Sequence, residues 1–362
     1  MKRITCFITS LSSGGAEHQI TLLSGFLAER GYDVTLTTFG HTEDHYLVDW
    51  RVKRYCIKHN GHSLSKLKAI YYYFLTLKTD CVICFGARES FFCLVPLLLR
   101  KKIKVLAGER CATYDKLTWY KKLNYYWLYK RANFIVPNSH TQLNDITKHW
   151  PQYANKTKVI TNYTDVKEYQ ATPLPHNRPI RIGIFCRYAE QKNYKRMASV
   201  VKKLREKSEG FEIHWYGNKY REKQLLTEYQ ELHSLVQQYQ LEDCFILHDH
   251  TKKVAEMLKD FDALCLPSLT EGFSNSISEY VCCGRPVLCS DVADNSIMVH
   301  NDENGYLFDP ENEDNMVKAF LKFFSLSDTE RDAMGRKSRL IAENLFDKEK
   351  FVGSYIQLIE SK

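Results

Sequence analysis

Short, wholly apolar runs alternate along this chain with longer stretches whose apolar residues recur every three or four positions. The short runs, bounded by Gly, Ser or Pro, read as buried strands and the longer stretches as amphipathic helices. Residues 3–38 form one such unit: a strand to residue 9, a Ser/Gly loop at 12–15, a helix over 16–30, Gly31 as its stop and a strand over 34–38. A second start of the same kind appears at 180–216. There a strand over 180–186 leads through a polar loop at 187–193 into a helix over 194–207, whose Met197, Val200, Val201 and Leu204 share one face, and then a strand over 211–216. Further strands are predicted at 81–85, 104–107 and 133–136, and at 244–247, 263–266 and 286–289. Helices are predicted at 313–324 and 348–361. Two starts imply an α/β protein of two doubly wound, Rossmann-like domains. The expected division is 1–172, a linker at 173–179, 180–345, and a closing helical segment at 346–362. Residues 171–179 carry three of the nine prolines, which is linker composition.

The stretch 267–291, PSLTEGFSNSISEYVCCGRPVLCSD, concentrates the candidate chemistry. It follows an apolar strand and contains a helix predicted over 274–283, with Gly284 as its stop. In an open parallel sheet such a loop lies at the carboxyl ends of the strands, where ligands bind. Gly272 lets a ligand approach the backbone, and the N–H groups around Asn275 and Ser276 form an anion site at a helix start. Glu271 and Glu279 bracket that site, and carboxylates accept from vicinal sugar hydroxyls. A bland alternative makes them one helix-end charge and one solvated side chain. Arg187 and Lys192 directly follow the first strand of the second domain, where cations can neutralise a diphosphate; solvation is the bland alternative for both. Gly14-Gly15-Ala16-Glu17 lacks the G-x-G-x-x-G of a dinucleotide site, and a tight strand-to-helix turn and a ligand loop both fit it.

EGFSNSISE followed by a Gly-x-Pro-Val strand resembles the E-x7-E signature of the retaining family-4 glycosyltransferases, two-domain enzymes of the GT-B fold that use nucleotide-sugar donors. The resemblance implies two domains facing a cleft, with the last helix crossing back to the first domain. It implies donor contacts at Gly15, Gly217, His248, Gly272, Phe273, Ser274, Asn275, Ser276 and Glu279, with Glu279 holding ribose hydroxyls. Glu271 would hold the donor sugar and, with Arg187 and Lys192, form the catalytic set. The loop 186–193 resembles the family's G-R-x4-K-N motif, with Cys186 in place of its glycine. At His248 a base cradle and a plain strand-end turn both fit. Glu109-Arg110 resembles an acceptor-side motif. A UDP-sugar donor, a glycan or lipid-linked acceptor, retention, and no metal or cofactor are the implied chemistry, in cell-surface polysaccharide biosynthesis.

Composition changes the picture in one place. The 362 residues are 44% hydrophobic and 26% charged, ordinary for a globular chain of two domains. Residues 98–131, however, hold ten Lys/Arg and two acids, matching the whole chain's net +8, beside seven aromatics. That combination favours an anionic membrane surface or a lipid-linked acceptor; aromatics facing a core would be the structural explanation. Nucleic acid is not expected as a partner, because no recognised RNA or DNA module accompanies the patch. The apolar runs are too short for a signal peptide or a spanning helix, so the expected location is the cytoplasm, with peripheral attachment at the inner face of the membrane compatible with the basic patch. Most of the 12 cysteines sit in strand-like runs and read as buried reduced thiols. Cys81 and Cys84 have C-x2-C spacing without a second pair. Asp260-Phe-Asp262 precedes its strand, the wrong side for a metal-dependent transferase of the other major fold. A non-catalytic nucleotide-sugar-binding or scaffold protein is the remaining rival.

Overall fold

The computed structural model describes all residues except 13, 40–43, 61, 111–116, 220–222 and 362. Residue contacts divide the chain into two units, Met1–Tyr163 with Lys348–Lys362, and Thr164–Asp347. In the first, β1 (Arg3–Phe7), α1 (Gly15–Glu29), β2 (Asp33–Thr38), β3 (Lys53–Cys56), α2 (Ser63–Thr76), β4 (Cys81–Phe85), α3 (Ala87–Leu97), β5 (Lys104–Glu109), α4 (Trp119–Tyr126), β6 (Phe134–Pro137) and α5 (His140–His149) follow one another. The strands pair in parallel in the order β3-β2-β1-β4-β5-β6. The direction of winding reverses between β1 and β4. Central β4, CVICF, is buried at every residue, which is why its sequence is uninterruptedly apolar.

The second unit runs β7 (Ile180–Phe185), α6 (Tyr194–Arg205), β8 (Phe211–Gly217), α7 (Lys223–Gln238), β9 (Phe245–Asp249), α8 (Val254–Met257), β10 (Ala263–Leu266), α9 (Asn275–Cys282), β11 (Val287–Ser290), α10 (Asn295–Met298), β12 (Gly305–Phe308), α11 (Glu313–Phe324) and α12 (Asp328–Leu345). Its parallel order is β12-β11-β10-β7-β8-β9, with the reversal between β7 and β10. Trp215, at the centre of β8, is fully buried among α6 and α7 side chains. The closing helix α13 (Lys348–Glu360) belongs to the first unit. Its Phe351 ring lies 5.6 Å from Tyr163, Lys348 pairs with Glu29 at 2.6 Å, and the Lys104 ammonium donates to the Leu358 and Ile359 carbonyls at its C-terminus.

The proline-rich stretch is a strap tied to the second unit. Arg285, fully buried, donates to the Thr172 carbonyl at 2.8 Å and its hydroxyl at 2.6 Å, and to the Leu258 and Lys259 carbonyls. Asp262 accepts from the Asn177 and Arg181 backbone N–H groups at 3.0 and 2.8 Å, so this carboxylate is occupied in holding the strap. Arg178 pairs with Asp328 at 2.7 Å.

Candidate functional site

The winding reversal of the second sheet sets the site, because the loops leaving β7 and β10 lie on either side of it, where an open parallel sheet has its ligand crevice. Those loops are 186–193 and 267–274, the two that carry the sequence motifs. They are stitched together: Leu269 N donates to the Gln191 carbonyl and Gln191 Nε2 to the Thr270 carbonyl, both at 2.8 Å. Between them Lys192 Nζ lies 2.5 Å from Glu271 Oε1, with both side chains largely buried. Burial alone would lower the Lys192 ammonium; the Glu271 carboxylate reverses that and holds it above its ordinary value. The cation stays charged. Arg187 is exposed beside it, and the Cys186 thiol is pushed up to about 12 by burial, which leaves it neutral.

Helix α9 starts at the same place. Ser274 caps it, its hydroxyl accepting from Ile277 N at 3.4 Å, and no acid occupies the first turn. An acid there would neutralise the positive end of the helix; without one the end keeps its attraction for an anion. Glu279 lies in the second turn. Its carboxyl is raised to about 7 by burial and by Glu168, against the lowering effect of a hydrogen bond from Tyr169. Arg339 holds the Tyr169 segment over α9, donating to the carbonyls of Val166, Tyr169 and Cys282 at 3.0, 2.8 and 2.7 Å.

A raised carboxyl means the folded chain keeps a proton that the unfolded chain has already released. Any stability linked to Glu279 is therefore complete below its ordinary 4.5 and lost as pH rises through about 7. Glu279→Gln is expected to gain on wild type by roughly 3 kcal/mol between pH 4.5 and 8. Paired thermal melts at the two values check this, and a constant difference would contradict it.

The other expected donor residues divide by what their side chains do. Phe273 is buried against Phe346, with ring centroids 6.3 Å apart, so its ring belongs to the core and a ligand would meet only its backbone. Ser274 is the cap, and the Ser276 hydroxyl donates to the Phe185 carbonyl at 3.3 Å. Gly272 lies in the loop and Asn275 opens the helix. Gly217 ends β8, where a Cβ would lie 2.7 Å from the Cys186 carbonyl and 2.8 Å from the Tyr188 ring; packing demands the glycine. His248 departs from expectation. The strand continues two residues past Leu247, pairing His248 with Tyr216, and the His248 carbonyl accepts from the Tyr188 hydroxyl at 2.7 Å. Its ring stacks on Tyr216 at 4.2 Å and its Nε2 lies 3.0 Å from His214 Nδ1, so both the carbonyl and the ring have partners within the unit.

Residues 166–340 match the family profile described as glycosyl transferases group 1, and residues 13–168 match Glycosyltransferase Family 4. The first covers nearly all of the second unit, and the second covers the first unit from α1 to its last strand and helix, without β1 and α13. The chain belongs to the glycosyltransferases. A curated relative from Campylobacter jejuni, named an N-acetylgalactosamine-N,N'-diacetylbacillosaminyl-diphospho-undecaprenol 4-alpha-N-acetylgalactosaminyltransferase, is 24% identical over 97% of both chains. Among solved structures, S. aureus TarM has a TM-score of 0.83 at 14% identity, covering 100% of this chain and 99% of that one. Anabaena Alr3699/HepE in complex with UDP and glucose has 0.82 at 16%, covering all of both. The fold of this transferase is thus the two-Rossmann-domain GT-B type.

In the transferase's first unit, Gly15 opens α1, and a Cβ on the preceding Gly14 would lie 2.3 Å from Glu17 Oε2. The α1 N-terminus therefore carries its own anion. The same holds at α3, where Glu89 sits over Gly86. Glu109 ends β5 and is buried, accepting from the Tyr129 hydroxyl; burial raises its carboxyl, opposed by Lys121 and the tyrosines. The Arg110 guanidinium lies 3.7 Å over the Phe85 ring, with Nη2 donating to the Tyr355 hydroxyl of α13 at 2.9 Å and Nη1 to Asn162 Oδ1 at 3.3 Å.

The basic segment is less exposed than its composition suggests. Arg100 and Arg131 donate to main-chain carbonyls and Lys104 caps α13, cations that close the ends of neighbouring elements, while Lys121 is buried and acts on the Glu109 carboxyl. Tyr114, Asp115 and Lys116 lie outside the described residues. What remains outward on α4 and the turn after it is Trp119, Lys122, Leu123, Tyr126, Trp127 and Lys130, at helical spacing, while Tyr125 and Tyr129 enter the core. Tyr169, Glu168 and Arg339 were missed from sequence. Nothing local marks them, since each acts through a neighbour far along the chain.

Proposed function

We propose that this transferase moves a hexose or N-acetylhexosamine, with retention, from a UDP-sugar to a lipid-linked glycan in cell-surface polysaccharide biosynthesis. The observation that carries the reading is the buried Lys192–Glu271 pair beside an α9 N-terminus with no acid in its first turn. The UDP-bound neighbour and the diphospho-undecaprenol relative support it. The bond between the anomeric carbon and the β-phosphate oxygen breaks, and the nucleoside diphosphate leaves with the electron pair. Arg187, Lys192 and the first N–H groups of α9 stabilise the growing charge without a metal. Glu271 orients the donor sugar and Glu279 accepts from the ribose hydroxyls. The acceptor hydroxyl attacks from the face the phosphate leaves, and its proton passes to the departing phosphate oxygen. Acceptor recognition is assigned to the first unit, with Glu109 and Arg110 contributing.

Incubation with a panel of UDP-sugars and diphospho-polyprenol glycans tests this by UDP release. One donor should release UDP only when acceptor is present; no release from any pair would favour a non-catalytic sugar-nucleotide binder. A chelator should leave the rate unchanged. UDP affinity should rise with pH through about 7, as Glu279 ionises into an acceptor, and be flat in Glu279→Gln. Calorimetry at pH 6 and 8 reads the difference.

The outward face of α4 supports attachment to an anionic leaflet, where aromatics settle at headgroup depth and each nearby cation adds roughly 1 kcal/mol. None of the described helices is long and apolar enough to cross a membrane. Lys122→Glu with Lys130→Glu should reduce sedimentation with vesicles of phosphatidylglycerol, more at low salt than high. Wild type that never sediments would contradict the attachment.

A further inference from the structure

Helix α2 repeats the α4 pattern without any hint in net charge. Leu64, Leu67, Lys68, Tyr71 and Tyr72 all face outward, at spacings of three, one, three and one, so one side of α2 is an exposed apolar stripe. Such a stripe normally packs against another element. Here it borders a groove of about 350 Å³ between α2 and α3, lined by Leu67, Tyr71, Phe91, Phe92, Val95 and Pro96, with Lys68 at its edge. The groove runs on into the α4 face, since the Phe91 and Trp119 rings meet edge to face at 5.1 Å.

The chemistry of the lining selects the occupant. Aromatic and aliphatic carbon dominates it, so a sugar or a peptide backbone would lose hydrogen bonds to water and regain few. Helices α2, α3 and α4 contain a single acid, Glu89, and it is buried, whereas Lys66, Lys68, Arg88 and Lys122 lie on the same three helices. A second copy of the chain would bring like charges together. A hydrocarbon chain ending in an anionic headgroup satisfies both features, carbon in the groove and phosphate among the cations. We propose that the α2/α3 groove seats the isoprenoid chain of a diphosphate-linked acceptor, next to its headgroup. This rests on the lipid-linked acceptor proposed above. The groove thereby distinguishes lipid-linked from free glycans, and each methylene it buries multiplies affinity about fourfold.

Geranyl and geranylgeranyl diphosphate share a headgroup and differ by two isoprene units, so calorimetry with both, below their aggregation limits and with no donor present, reads the groove alone. Wild type should bind the longer chain at least tenfold tighter. Val95→Trp, which fills the groove, should bring the ratio below threefold and leave the binding of inorganic diphosphate, which has no chain, unchanged. Tyr71→Glu should also bring the ratio below threefold, by placing a charge at the rim. Equal affinities in wild type, or a length preference that survives both variants, would overturn the proposal. So would a wild-type dimer in sedimentation velocity that either variant dissociates, which would make the groove a contact between copies. The binding needs no turnover, so a length preference without UDP release would keep the groove and sink the transferase reading, and release without a preference would do the reverse.

Discussion

Glu271→Gln is expected to cut turnover about 10²–10³-fold while binding UDP at least as tightly as wild type. The carboxylate and the Lys192 ammonium are 2.5 Å apart in a largely buried position, so in the resting protein part of the cation's charge is answered by Glu271. Removing the negative charge leaves more of the Lys192 field for a diphosphate and removes a repulsion against it. The donor sugar loses the acceptor that orients it, and that loss appears only when the anomeric centre reacts. Steady-state kinetics beside UDP calorimetry separates the two effects. An unchanged rate would return Glu271 to being the structural partner of Lys192.

Lys192→Met carries the second large effect, and it falls on stability as well as binding. Losing the ammonium strands the Glu271 carboxylate in a largely buried place, which costs about 3–5 kcal/mol for a buried pair broken on one side. UDP affinity should fall by about 1.5–3 kcal/mol, the worth of a hydrogen bond to a charged group. The double change Lys192→Met with Glu271→Met should recover most of the stability and none of the affinity. Denaturant melts and UDP titration of the three variants check both. A single variant as stable as wild type would show that the pair is solvated.

These effects follow from tertiary placement that the sequence shows only in part. The apolar runs 81–85 and 263–266 match their strands residue for residue, because a central parallel strand buried on both faces has no polar positions to blur its limits. Edge strand β3, KRYC, has no apolar run and was not foreseen; its N–H and C=O groups pair with β2 whatever its side chains are. Helix α12 was also missed, although Ser327 and Glu330 form a capping box at its start. The motif loops were legible because Gly, Glu and Lys types at a strand end have few structural uses. The division of labour within them was not: Phe273 and the Ser276 hydroxyl hold the loop, and the His248 carbonyl is taken by Tyr188, all decided by partners remote in sequence. In 98–131 composition misled for the same reason, since a lysine that caps a helix and one that faces water are identical in a charge count.

The central claim is that the crevice between the β7 and β10 loops binds the nucleoside diphosphate of the donor. A crystal structure of the wild-type protein with UDP tests it most directly. The account predicts diphosphate oxygens within hydrogen-bond distance of Lys192 Nζ and of the first N–H groups of α9, with ribose hydroxyls against Glu279. A diphosphate held anywhere else, with the Lys192–Glu271 pair undisturbed and Glu279 untouched, would contradict it.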